Sequence, residues 1–237
     1  MNAVEPCAEV PGYEGLCDAA AAAGIACRGG FHPLPADGVP ALPDGSPVRT
    51  LVLLGFTAGQ QWAWFERSTE YQDEEPHPLD RWSGRIIGEL ARRFGAADLY
   101  PAPGPPWWPF QRWAQRAQAL HTSPLGILID PEFGLWHAYR GALAFAVAIA
   151  VPALRVWPDP CASCVSKPCL HTCPVGAVTP GQFDRAACAR HVVSAQGERC
   201  RSNGCLARVS CPIGAHHRYG AAQATFHMKS LHFSEGK

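Results

Sequence analysis

Eight of the eleven cysteines in this 237-residue chain fall after residue 160, and their arrangement limits what that part of the chain can fold around. They read Cys161-Ala-Ser-Cys164, Cys169, Cys173-Pro174, Cys188, Cys200, Cys205 and Cys211-Pro212. Both halves of the set end in Cys-Pro followed by Val/Ile-Gly-Ala, at Pro174–Ala177 and Pro212–Ala215, which is an internal repeat. All eight tryptophans lie on the other side of residue 160, so the two parts of the chain are built from different material. Charge divides in the same way. Residues 1–159 carry 11 basic and 17 acidic side chains, net −6, and residues 160–237 carry 9 and 3, net +6, behind an overall formal charge of zero. That zero offers no overall attraction to nucleic acid or an anionic membrane. A seam is expected near residues 158–160.

Cysteines this dense act as disulfides in exported proteins and as metal ligands inside cells. The first charged residues are Glu5, Glu9, Glu14 and Asp18, and no basic residue precedes Arg28, the wrong sign for the start of an export signal. The longest apolar stretch, Gly141 to Leu154, contains Pro152 and is shorter than the roughly 20 residues a membrane helix needs. A cytoplasmic protein without a membrane span is expected, and the cysteines then read as ligands.

The bacterial iron–sulfur run is C-x2-C-x2-C-x3-C-P, whose fourth cysteine serves the other cluster when two are present. The first run here is C-x2-C-x4-C-x3-C-P and the second is C-x11-C-x4-C-x5-C-P. One tight loop supplies three thiolates to a cubane but cannot wrap it, so the fourth comes from elsewhere. The crossed rule assigns Cys161, Cys164, Cys169 and Cys211 to one [4Fe–4S] cluster, and Cys188, Cys200, Cys205 and Cys173 to the other. Zinc is the alternative, because C-x2-C and C-x4-C pairs also build tetrahedral Cys₄ sites; one cluster beside a different metal is another. The duplicated Cys-Pro and the total of eight favour two clusters. Cys7, Cys17 and Cys27 have no such spacing and read as ordinary thiols. His171, His191, His216 and His217 lie among the ligands, and His171 is placed to donate to a cluster sulfur. The surrounding arginines offset cluster charge and offer a docking face to an acidic partner.

With 47% hydrophobic and 17% charged residues, the chain can bury a substantial core. Thr50–Phe56 reads as a buried strand, leading through a Gly55–Gly59 turn to a helix near Trp62–Phe65. That turn lacks the glycine spacing of a nucleotide-binding loop. Leu79, Trp82, Ile86, Leu90 and Phe94 recur at helical steps and stop at Gly95. A strand near Asp98–Tyr100, a second helix through Phe110, Trp113, Ala117 and Leu120, and a strand at Leu125–Ile129 follow. Leu143–Val151 alternates large and small apolar residues and reads as a central strand. Pro101–Pro109, with Trp107 and Trp108, is a stiff loop that either caps the core or lines a pocket for a planar cofactor. The expected fold is α+β or α/β: a layered sheet-and-helix domain at 1–157, a small two-cluster ferredoxin-like module at 158–220, and a C-terminal helix and tail at 221–237 docked on the first domain.

On these cysteines the chain resembles bacterial 4Fe-4S ferredoxin-type proteins and, more distantly, epoxyqueuosine reductase. Pro124-Leu-Gly-Ile-Leu-Ile-Asp-Pro-Glu-Phe-Gly-Leu-Trp136 with Gly141-Ala-Leu is similar to the stretch before the cysteines in that reductase. The resemblance implies a nitroreductase-like, cobalamin-binding domain joined to a two-cluster module. It departs where that family carries an acidic catalytic residue, since Tyr100–Ala119 contains no Asp or Glu; Asp98 and Asp130 are the nearest carboxylates. The family's Gly-Lys-Asn stretch is replaced by His121-Thr-Ser-Pro. Three functions are therefore carried forward: electron transfer through two [4Fe-4S] clusters to a redox partner protein or small-molecule acceptor; an iron–sulfur oxidoreductase feeding cobalamin or flavin; and a binding module that clusters only staple together.

Overall fold

The apolar run Leu51–Leu54 with Phe56 gives the strand Thr50–Thr57 a stretch buried from its first residue to Phe56, which must lie inside a sheet. In the computed structural model, which describes residues 12–101, 105 and 107–229, this strand is the second of a four-stranded sheet. The elements in chain order are α1 (Tyr13–Ala22), β1 (Ala26–Phe31), β2 (Thr50–Thr57), α2 (Trp62–Glu66), α3 (Thr69–Gln72), α4 (Pro78–Phe94), β3 (Ala97–Leu99) and α5 (Phe110–Gln118). They continue with β4 (His121–Thr122), β5 (Leu128–Ile129), β6 (His137–Phe145), β7 (Val178–Thr179), β8 (Gln182–Phe183), α6 (Arg185–Val193), α7 (Glu198–Asn203), α8 (Leu206–Val209) and α9 (Ala221–Lys229).

The large sheet has the order β1-β2-β6-β3, with antiparallel pairing of β1 with β2 and of β3 with β6. The two-stranded sheets β4-β5 and β7-β8 are antiparallel as well. The fold is therefore α+β, the first of the two classes expected. Among the described residues, no helix is long and apolar enough to cross a membrane.

The chain forms two compact units. The first holds residues up to Phe56, Gln61–Ala119 and Ala138–Val156; the second holds Thr57–Gln60, Leu120–His137 and Trp157 onward. A single cut at residue 157 thus leaves Thr57–Gln60 and Leu120–His137 on the tryptophan-rich side, whereas they fold with the cysteines.

In the first unit the sheet packs against helices through large aromatic side chains. The rings of Phe56 and Phe65 lie 5.7 and 5.9 Å from that of Trp82. Trp113 is fully buried, and its indole N–H donates to the Asp37 carbonyl at 2.8 Å. Helix α4 follows its sequence pattern and stops at Gly95, which takes the left-handed conformation (φ 62) and returns its N–H to the Ala91 carbonyl. Gly141 and Gly55 let backbones approach closely: a Cβ would stand 2.7 Å from Ile87 at the first and 1.9 Å from the Ala138 carbonyl oxygen at the second. Gly55 belongs to the interior of β2, not to the turn that follows it.

The alternating run behaves differently from its period. Strand β6 starts upstream at His137 and ends at Phe145, so Val147, Ile149 and Val151 lie outside it. The cause is Thr50, whose hydroxyl donates to the Val147 carbonyl (2.8 Å) and accepts from the Ile149 amide (2.9 Å). These bonds satisfy the backbone without a ladder and turn the chain away. Strand β1 has a break in register against β2 between Cys27 and Gly30. The expected strand at Leu125–Ile129 shortens to two residues.

Glu70 is a buried carboxylate held by Arg85, which donates from Nε at 2.6 Å and from Nη2 at 3.1 Å. Arg85 holds this carboxyl below the ordinary carboxylate range, against the opposing effect of burial. A depressed acid contributes stability above its unfolded pKa, near 4.3, and loses it as pH falls through the folded value. Glu70→Gln is expected to cost about 1 kcal/mol at pH 7. The difference from wild type should shrink towards zero below about pH 4, as measured by urea denaturation across that range.

Candidate metal centres

The second unit brings the eight cysteines into two groups. Cys161, Cys164, Cys169 and Cys211 line one small pocket together with Pro124, Ile129 and Lys167. Burial raises the Cys161 thiol to about 11, helped by Asp159 and by the nearby Cys211 and Cys169. Cys169 and Cys211 are pushed up as well, first by burial and then by cysteines of this same group. The other group is Cys173, Cys188, Cys200 and Cys205. Burial lifts Cys188 to about 11, with Cys205, Cys173 and Cys200 adding to the rise. Cys200 is raised by burial and by Cys205 and Cys173. Neither group includes a member of the other.

Local chemistry explains how each thiol is held. The Asp159 carboxylate accepts from the Cys161 amide at 2.8 Å, and Lys167, at a left-handed φ of 37, donates from Nζ to the Cys161 carbonyl at 2.8 Å. These contacts close the Cys161–Cys169 loop on itself. Helix α6, which carries Cys188, is capped by the Asp184 carboxylate accepting from the Ala187 amide at 2.8 Å. Arg201 of α7 donates to the carbonyls of Val192 and Ser194, tying α7 to the end of α6.

The Cys-Pro-x-Gly-Ala repeat is one backbone device used twice. Gly176 and Gly214 share the left-handed conformation, with φ of 60 and 63. The turn sends an amide back to sulfur: Ala177 N–H donates to Cys173 Sγ at 3.3 Å, and Ile213 N–H donates to Cys211. Leu206 and Leu170 do the same for Cys200 and Cys169. Lys167, Arg199 and Arg218 lie close enough to Cys161, Cys200 and Cys211 to favour the thiolates. Amide donors and cations around sulfur suit bound thiolate.

Among the described residues, no three His, Cys, Asp or Glu side chains converge closely enough to hold a single metal ion. Tetrahedral zinc draws four sulfurs to about 2.3 Å from one point.

Two glycine turns meet backbone to backbone. A Cβ on Gly134 (φ 58) would stand 2.0 Å from the Ile213 carbonyl oxygen, and one on Gly214 would stand 2.4 Å from the Phe133 carbonyl carbon. The Asp130–Gly134 turn, which folds with the cysteines, therefore seats the segment carrying Cys211. Arg208 adds a clamp: its guanidinium lies 4.6 Å from the Trp136 ring and 4.7 Å from that of Tyr219, and it donates to the Leu135 carbonyl.

Other expected residues fall as follows. Asp130 is buried and accepts from the amides of Glu132 and Phe133, each at 2.9 Å. Asp98 accepts from the Tyr100 hydroxyl at 2.6 Å. Both carboxylates are engaged in holding local structure. Trp108 stacks on Trp113 at 6.4 Å, while Trp107 is 70% exposed; Ala102–Gly104 and Pro106 of that loop lie outside the described residues. Cys7 and residues 230–237 also lie outside them. Helix α9 docks on α7 instead of on the tryptophan-rich unit, with Met228 packed against Val192 and Cys200. His171 is exposed. His191, which the sequence places among the cysteines without a role, lines the pocket at Cys200 with a buried Nε2. Its only signal was a place on α6, one turn after Cys188.

The sequence matches no protein-family profile and no curated protein. Among solved structures the chain is similar to a reductive dehalogenase described as B12-dependent (TM-score 0.53, 12% identity, 97% of this chain and 36% of that one). An epoxyqueuosine reductase in complex with a tRNA-Tyr stem loop also aligns (TM-score 0.48, 17% identity, 88% of this chain and 66% of that one). So does the epoxyqueuosine reductase of Streptococcus thermophilus (TM-score 0.47, 13% identity, 87% and 67%). The chain spans under two thirds of the first two, and at these identities the likeness is one of fold.

The two repeated glycines separate packing from conformation. Gly134→Ala and Gly214→Ala are each expected to destabilise the protein by about 2–4 kcal/mol. Gly176→Ala, whose Cβ would meet nothing within 4 Å, should cost only about 1–2 kcal/mol for the left-handed backbone. Chemical denaturation of the three variants followed by tryptophan fluorescence checks this order.

Proposed function

We propose that this chain is an iron–sulfur redox protein whose two cysteine groups each hold a [4Fe–4S] cluster. The carrying observation is the division of the eight thiols into two sets that exchange their Cys-Pro cysteines. Cys211 faces the Cys161–Cys169 loop, and Cys173 faces Cys188, Cys200 and Cys205. This is the arrangement expected when two clusters share two runs. When bound, each cluster accepts and releases one electron. The chain's own part is to offer amide donors and nearby cations that partly oppose the burial raising these thiols, to keep bulk water from the buried Cys169, Cys200 and Cys211, and to fix the spacing between loops. Electron transfer to a redox partner protein or a small-molecule acceptor is the activity this supports. The net +6 of residues 160–237 suits an acidic partner.

A second reading, a cobalamin- or flavin-dependent reductase, is favoured by the fold likeness to the B12-dependent dehalogenase. The carboxylates this chain offers as a proton source do not fit: Asp98 and Asp130 are both committed to local hydrogen bonds, so no step is built through a corrinoid. Cobalamin added to the full chain should shift to a base-off spectrum if this reading holds, and should remain unchanged if the chain only transfers electrons.

The crossed assignment has its own test in paired substitutions. Anaerobically loaded wild type should contain about eight iron and eight sulfide per chain, and Cys211→Ser or Cys173→Ser alone about half of that. Cys164→Ser added to Cys211→Ser should remove nothing further, whereas Cys173→Ser added to Cys211→Ser should remove the rest. A colourless, zinc-loaded protein would overturn the iron–sulfur reading. Equal losses from both double variants would overturn the crossing.

A further inference from the structure

One buried ring nitrogen of the second unit lies beside the cysteines with nothing to bond to. His191 sits three residues after Cys188 on α6, so both side chains leave the same face of the helix. Its Nε2 is buried and has no hydrogen-bond partner among the described residues. The residue borders an open hollow together with Cys200, with Pro174, which follows Cys173, and with Leu206, which follows Cys205. Cys188 and Leu206 in turn pack on the apolar cluster of Val192, Cys200 and Met228. The surroundings of His191 thus hold one cysteine of this group and the chain neighbours of two more, with the fourth one helical turn away. The other polar residues at the hollow, Gln196 and Arg199, are exposed and leave Nε2 unpaired. The backbone of His191 is fixed. Its carbonyl accepts from the Ser194 amide at 3.0 Å and from the Ser194 hydroxyl at 2.7 Å, a Cβ on Gly197 would collide with that carbonyl, and Arg201 ties the next carbonyl, that of Val192, to α7. The orphaned nitrogen therefore belongs to a residue that cannot turn away, and folded proteins rarely keep a buried donor unpaired. His171, which the sequence places between two ligands, is exposed.

We propose that His191 donates a hydrogen bond from Nε2 to the iron–sulfur cluster held by Cys173, Cys188, Cys200 and Cys205, and so makes that cluster easier to reduce. The inference rests on the cluster reading above. Inorganic sulfide and thiolate sulfur can only accept, so the proton of this bond sits on Nε2. Reduction adds a negative charge to the core, and a donor aimed at a core sulfur is held more strongly by the reduced form. Taking the donor away therefore disfavours reduction without touching a ligand. His191 carries no electron and binds no iron; it acts through the sulfur it faces. Among the described residues, no histidine lines the pocket of Cys161, Cys164, Cys169 and Cys211, so the effect is confined to one of the two clusters.

The test is a redox titration of the anaerobically loaded full-length chain, with dithionite as reductant and electron paramagnetic resonance as readout, and with iron and sulfide measured in the same samples. His191→Leu should keep about eight iron and eight sulfide per chain. It should make one cluster about tenfold harder to reduce, which is about 59 mV for a one-electron step, and leave the other unmoved. His191→Gln, whose amide nitrogen reaches the place of Nε2, should recover most of that shift, whereas His191→Asn, whose amide nitrogen takes the place of Nδ1, should not. Wild type carrying nitrogen-15 histidine should show a nitrogen coupling to the reduced cluster that His191→Leu removes. Potentials indifferent to His191→Leu at full iron content, or equal shifts of both clusters, would overturn this proposal and leave the cluster reading standing. Wild type without iron and sulfide would overturn the cluster reading and this proposal with it. Should His191→Leu fail to load, the remaining pair decides: equal potentials in His191→Gln and His191→Asn would overturn the assignment to Nε2.

Discussion

The backbone contact between the Asp130–Gly134 turn and the Ile213–Gly214 turn governs how the cysteine-bearing unit is assembled. Gly134 and Gly214 leave no room for a Cβ, and each takes the left-handed conformation. Close approach and backbone hand therefore act at the same place. The contact holds Cys211 where it can face a loop that lies about 50 residues earlier in the chain. Arg208, set against both the Trp136 and the Tyr219 rings, which themselves meet edge-on, secures the same junction with a planar cation that lysine would not replace.

This contact explains why Leu120–His137 folds with the cysteines although it shares none of their composition. A seam drawn from tryptophan, cysteine and charge counts sees what residues are made of. It does not see which turn lies against which. The Pro124–Trp136 stretch was visible only as a likeness to a known reductase, and its physical role is to seat the Cys211 segment and to supply Pro124 and Ile129 to the cavity wall.

The elements that were legible share a strong period or a hard stop. Helix α4 could be read from five apolar residues and Gly95, and β2 from an unbroken apolar run. The Cys-Pro-x-Gly-Ala repeat was legible as a pair, and its two glycines share one backbone conformation. What could not be read depended on partners distant in sequence. Strand β6 ends where a single hydroxyl, that of Thr50, takes over the backbone bonding of Val147 and Ile149. His191 is ordinary in the sequence and notable only for the cavity it borders.

The interleaving of the two thiol groups also sets an order in time. As the chain leaves the ribosome, Cys161, Cys164 and Cys169 emerge 42 to 50 residues before Cys211, and Cys173 emerges ahead of all three of its companions. Neither set of four is complete until most of residues 160–211 has been made; the set containing Cys173 closes at Cys205 and the other at Cys211. A nascent chain therefore presents incomplete groups of thiols, open to capture by whichever soft metal ion arrives first. On the proposed cluster-binding reading, the set that ends at Cys211 is complete only once the Ile213–Gly214 turn seats against Gly134, a backbone contact that contains no metal ligand.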